Sequence, residues 1–218
     1  LHETWDGLAL TTDNPSFFGS STASGSIDYR LPAIDVMGAS VNVALTYDPA
    51  ADTDPAAAGG VTTADPGSGT AFVVEVAHES GLSLGFGQED IDNGTSTGAT
   101  AQDESNTTAY VKFAMGPVTI GMQEAYQNSK DGGQDNEASF WAVAYTAGDL
   151  SLSYGESTLQ GHPTAATAAP VERELESIQI AYTMGAMTIS GAMAETGNAG
   201  GTAGQTYEEN RLSVAFAF

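Results

Sequence analysis

The segment Arg211-Leu-Ser-Val-Ala-Phe-Ala-Phe218 alternates bulky and small side chains through to its last residue. Leu212, Val214, Phe216 and Phe218 fall on one face of an extended chain, and Arg211, Ser213, Ala215 and Ala217 on the other. A strand with one wholly apolar face and one small, polar face constrains the fold more than any other feature of this chain. An apolar strand of this kind must be paired along its whole length. A membrane barrel that closes on its terminal strand meets that requirement, because an open edge in lipid leaves backbone N–H and C=O groups unsatisfied.

The same period recurs along the chain. Val41, Val43, Leu45 and Tyr47 alternate with Asn42, Ala44, Thr46 and Asp48, and Ile178, Ile180, Tyr182 and Met184 alternate with Ser177, Gln179, Ala181 and Thr183. The spacing predicts about eleven strands, near 24–33, 40–48, 70–79, 82–90, 107–116, 117–128, 137–147, 150–159, 174–184, 187–197 and 207–218. Tight turns fall at Ser80-Gly81, Gly116-Pro117, Gly148-Asp149 and Gly185-Ala186, with a slightly longer one at 35–39. Between them lie long polar connections at 49–69, 91–106, 129–136, 160–173 and 198–206. Short turns at one end and long loops at the other describe an outer-membrane barrel.

Composition separates this reading from a soluble sandwich. The second face carries Ser, Thr, Gly, Ala and Gln with few charges, whereas a solvated exterior carries many of both signs. That set suits a water-filled lumen, and the aromatics Tyr29, Tyr47, Tyr126, Trp141, Tyr145 and Tyr154 suit interfacial girdles. The chain of 218 residues has 5 Lys+Arg against 28 Asp+Glu and a formal charge of −23, which excludes nucleic acid as a partner. There is no Cys, so neither a disulfide framework nor a thiolate metal site is available. No run of 18 apolar residues is present, which excludes a transmembrane helix and leaves barrel strands untouched.

Trp5-Asp-Gly-Leu-Ala-Leu-Thr-Thr-Asp13, Pro15-Ser-Phe-Phe18, Gly25-Ser-Ile-Asp-Tyr-Arg30 and Val41-Asn-Val-Ala-Leu-Thr-Tyr-Asp-Pro49 together resemble the general porins of the Rhodobacter type. The resemblance covers 1–49 and implies an all-β, transmembrane antiparallel β-barrel of sixteen strands, assembled as a homotrimer in the outer membrane of a Gram-negative bacterium. It implies that 1–23 is the inward-folded constriction loop, followed by the sixth and seventh strands, with 24–218 forming strands and loops. Eleven antiparallel strands cannot close with both ends on the periplasmic side. The expectation is therefore that this is a C-terminal portion whose first five strands, about 80–100 residues, are missing. The alternative is a closed twelve-stranded barrel in which His2 to Leu10 pairs with the terminal strand.

On this reading the protein is a passive channel for small hydrophilic solutes and ions and not an enzyme. Its surroundings are outer-membrane lipid, lipopolysaccharide and identical subunits. The resemblance puts Glu3, Asp6 and Asp13 of the loop at the constriction, and strand parity adds Asp28 and Arg30 there. Parity also points Asp48, Glu75, Lys112, Glu209 and Arg211 into the pore. The acidity predicts weak cation selectivity. Glu89, Asp90 and Asp92 form a weak Ca²⁺ candidate, lacking the full spacing of an EF-hand loop; no other cofactor is indicated. His2, His78 and His162 are scattered, without zinc-site spacing. Gly81-Leu-Ser-Leu-Gly85 matches a nucleophile-elbow string, but Ser83 sits inside an expected strand with no helix after it. The competing class is a soluble or secreted acidic β-rich binding or adhesion protein stabilised by calcium.

Overall fold

The computed structural model describes residues 26–49, 67–92, 103–129, 134–163 and 171–217. Within them the chain forms β1 (Ile27–Arg30), β2 (Ile34–Val36), β3 (Ala39–Asp48), β4 (Ser68–His78), β5 (Leu82–Asp92) and β6 (Glu104–Met115). There follow β7 (Val118–Ser129), β8 (Gln134–Ala147), β9 (Leu150–Pro163), β10 (Arg173–Met184), β11 (Met187–Gly197) and β12 (Thr206–Phe216). A 3-10 turn at Ala199–Gly201 is the one helical element among the described residues, and no helix there is long and apolar enough to cross a membrane.

All strands belong to a single antiparallel meander in the order β1, β3, β4 and onward to β12, with β2 paired to β3 beside β1. Eleven strand positions therefore match the sequence expectation, and the extra strand has a local cause. The expected strand 24–33 continues along the same edge of β3 but is broken at Leu31-Pro32-Ala33, where proline has no N–H to offer the ladder. The chain then turns through Met37 and Gly38, with φ of 51° and 80°, into β3. Two positive φ values in a two-residue hairpin match the twist of the flanking strands.

The remaining turns lie where expected, but the strands reach further at the loop end. β6 begins at Glu104, β8 at Gln134, and β9 runs to Pro163, inside stretches that read as loop. Their composition is polar, yet the register continues unbroken, with Asn136 opposite Gly161 and Glu104 opposite Ser129. Ladder hydrogen bonds belong to the backbone and need no apolar side chains once the neighbouring strand is in place.

The expected inward loop 1–23, the proposed pairing of His2 to Leu10 and the terminal Phe218 lie outside the described residues. Among the described residues no pairing joins β1 to β12.

Burial separates the two faces in the sense opposite to a water-soluble sheet. On β10, Ile178 is 52% exposed while its neighbour Ser177 is 4% exposed. Leu45, Phe86, Met122, Trp141, Leu212, Val214 and Phe216 are likewise exposed, whereas Ala125, Ala138, Ala142 and Ser157 are buried on the other face. The small-residue face is therefore concave and shielded, and the apolar face is convex. A small apolar cluster of Ala125, Ala138 and Leu159, with Phe140 against it, packs on the concave side.

Candidate pore wall

Because the chain alternates and the register is continuous, a side chain's face can be followed across the whole sheet. One row runs Arg30, Ala44, Val73, Gly87, Thr108, Ala125, Ala138, Leu159 and Arg173, each opposite the next. This is the concave face. The same register places Asp28, Arg30, Asp48, Glu75, Lys112, Glu209 and Arg211 on it. Glu3, Asp6 and Asp13 lie outside the described residues.

These inward groups do not form one cluster. Asp28 accepts a 2.8 Å hydrogen bond from Thr46 Oγ1 at the β1 edge. Asp48 is buried at the loop end of β3. Arg211 and Glu209 form an ion pair at 3.1 Å on β12. Glu75 accepts a 3.1 Å hydrogen bond from Tyr110 Oη, which reaches it across β5. That reach depends on Gly85: a Cβ there would lie 2.0 Å from the Tyr110 ring. The glycine that resembled part of a nucleophile elbow is thus a seat for an aromatic ring. Ser83 pairs with Lys112 on the inward face while His78 lies outward, its Nδ1 accepting from the backbone N–H of Ser80 at 3.1 Å. A Tyr110→Phe variant should lose about 1–1.5 kcal/mol, read from chemical unfolding, because the Glu75 carboxylate loses a charge-assisted partner.

The calcium candidate is divided by the pleat. Glu89 faces inward and takes a 3.4 Å contact from Asn106 Nδ2, whereas Asp90 faces outward and accepts from Gln88 Nε2 at 3.1 Å. Asp92 shares the outward face with Asp90. The three do not converge, and among the described residues no group of three or more acidic or histidine side chains could hold a metal ion.

Two features escaped the sequence reading. Arg173 joins the inward wall, opposite Leu159. More consequentially, Trp141, Glu156, Glu176, Glu195 and Glu208 occupy one outward row across β8 to β12. Trp141 Nε1 donates to Glu156 Oε2 at 3.0 Å and Tyr154 Oη donates to Glu156 Oε1 at 2.5 Å, with the two rings edge to face at 5.5 Å. On the turn side of this row the outward residues are apolar apart from Asn210 on β12, as with Ile178, Ile180, Tyr182 and Met184 on β10. Those residues span roughly 20 Å of strand, close to the apolar band of a barrel wall. The row therefore marks the upper rim of that band. Its signal was present in the sequence, since Glu176 and Glu195 are equidistant from the Gly185-Ala186 turn.

The charge is thus divided between the faces. Arg30, Lys112, Arg173 and Arg211 all stand inward together with Asp28, Asp35, Asp48, Glu75, Glu89, Glu104 and Glu209, and Glu124, Glu137, Glu156, Glu174, Glu176, Glu195 and Glu208 stand outward. The expectation of cation preference took the net charge as the lumen's charge, whereas half of the acidic groups named here stand on the outer face.

An antiparallel wall with an exposed apolar exterior and a shielded, hydroxyl-rich interior defines the class of transmembrane β-barrels. Comparison with solved structures agrees. The chain superposes on an anion-selective porin from Comamonas acidovorans with a TM-score of 0.67 at 15% identity, covering 90% of this chain and 60% of that one. It superposes on a Rhodobacter porin refined at 1.8 Å with a TM-score of 0.60 at 16% identity, covering 88% of this chain and 60% of that one. The fold is the porin barrel fold, and the chain spans 60% of the length of each of these neighbours. No family model matches the sequence, and no curated protein matches it.

Proposed function

We infer that the protein is part of an outer-membrane channel through which small hydrophilic solutes diffuse passively. The carrying observation is the inverted burial: apolar side chains exposed on the convex face and small polar ones sheltered on the concave face. In water such an exterior would aggregate. In a bilayer it faces acyl chains, while the inner wall keeps a water column that needs no catalytic group to pass solutes. The row from Trp141 to Glu208 would then sit at headgroup height, among lipid and lipopolysaccharide. The resemblance to general porins adds a Gram-negative outer-membrane location and a homotrimeric assembly to this reading.

The soluble, calcium-stabilised alternative needs the row of Leu212, Val214 and Phe216 packed inside a core, and these three side chains are exposed. The test is reconstitution of the full protein into planar bilayers. Stepwise conductance and a requirement for detergent during extraction are the expected results. Extraction into detergent-free buffer as a monodisperse protein with no conductance would remove the proposal.

A further inference from the structure

We propose that the inward wall between Lys112 and Arg211 is a docking surface for small oxyanions of carboxylate or phosphate type, a local anion-attracting stretch within a chain whose formal charge is −23. This deepens the channel reading and rests on it. Two independent observations lead to it, one of charge placement and one of shape.

Across β7 to β11 the described inward residues include no Asp or Glu, and every glutamate of those strands stands on the convex side. The backbone wall separates those outward charges from the lumen. Salt screens them further, over about 8–10 Å. Removed from the field inside, they leave a wall whose only fixed charge on those strands is Arg173.

The same wall curves into a cavity of about 520 Å³ whose flanks are Lys112 on β6 and Arg211 on β12. Thr119, Ser151, Ser153 and Ser190 line its floor, and no carboxylate lines it. Lys112 stands between Ser83 and Gly121 in register, and makes no ion pair among the described residues. Arg211 is held by Glu209 at 3.1 Å, which offsets its charge. Lys112 therefore supplies the attraction, and the neighbouring hydroxyls supply hydrogen bonds without adding charge. Such a surface binds an oxyanion weakly enough to release it, which conduction demands. The cavity falls within the size range that accepts a small organic solute.

The experiment is a reversal-potential measurement under a KCl gradient on the full protein in planar bilayers, with sodium phosphate then added to one side. Phosphate should reduce the chloride current carried by wild type. Lys112→Gln should lower the chloride-to-potassium permeability ratio roughly twofold, the effect of one unit charge about 8 Å away in water, and weaken the phosphate effect. A combined Glu176→Gln, Glu195→Gln and Glu208→Gln variant, which removes more charge from the convex face, should leave the ratio unchanged. A chloride current in wild type that phosphate leaves unchanged, or a larger shift from the outward triple variant than from Lys112→Gln, overturns the inference while leaving the channel intact. Absence of conductance in wild type overturns the channel reading itself. Heat-modifiable gel migration checks that each variant is folded.

Discussion

Arginine in place of Ile180 should destabilise the protein folded in a lipid bilayer by about 2–4 kcal/mol, whereas arginine in place of the adjacent Gln179 should be close to neutral. The two positions differ by one residue in sequence and by a whole wall in space. Ile180 is 50% exposed on the convex face, opposite Leu152 and Gly191 in the ladder. A guanidinium there must shed its hydration or deform the bilayer around it. Gln179 lines the hydroxyl-rich cavity on the concave side together with Ser190. An arginine at that point stays hydrated, and it strengthens the anion-attracting wall instead of unfolding it. Urea titration of both variants in lipid vesicles measures the difference. Equal costs, or a larger cost at Gln179, would mean that the faces have been assigned the wrong way round.

A second large effect is expected at the turn between β4 and β5. Gly81 has φ of 91°, which an L side chain adopts only with strain, and a Cβ there would meet the Ala114 carbonyl oxygen at 2.1 Å. That carbonyl cannot simply move away, because the Ala114 N–H donates to Gly81 O at 2.9 Å and ties β6 to the turn. Gly81→Ala should therefore cost at least about 2 kcal/mol. Gly116→Ala is the matched control: its φ is 57°, and an added Cβ would meet nothing within 4 Å. Only the backbone penalty applies at Gly116, roughly 1 kcal/mol. The difference between the two variants in the same unfolding assay isolates the steric contribution at Gly81.

Much of the wall was legible in the sequence because a period of two survives any register. Alternation assigned Val41 and Asn42, or Ile178 and Gln179, to opposite faces before any pairing was known, and hairpin turns marked where each strand reverses. The break at Pro32 was harder to read, since a strand and a strand interrupted by proline look alike until the partner's hydrogen bonds are followed. Strand lengths were underestimated at the loop end, because polar composition at Gln134 or Glu104 carries no record of the backbone ladder that includes them. The calcium candidate shows the opposite difficulty. Glu89, Asp90 and Asp92 are close in sequence, but an extended chain throws the first to one side and the other two to the opposite side.

What the sequence alone determined was the local alternation: which side chains share a face, where the chain turns, and that one face carries most of the large apolar side chains. Side-chain direction in a strand follows from the backbone's own geometry, so no partner is needed to read it. Only the tertiary structure decided which face is convex, and which residues of distant strands meet in one row. Register aligned Glu156, Glu176, Glu195 and Glu208 on the exterior and left Lys112 on an inner wall without an ion-pair partner among the described residues. Curvature and cross-strand pairing are collective properties of the sheet, so the electric character of the passage could not be taken from the chain's total charge.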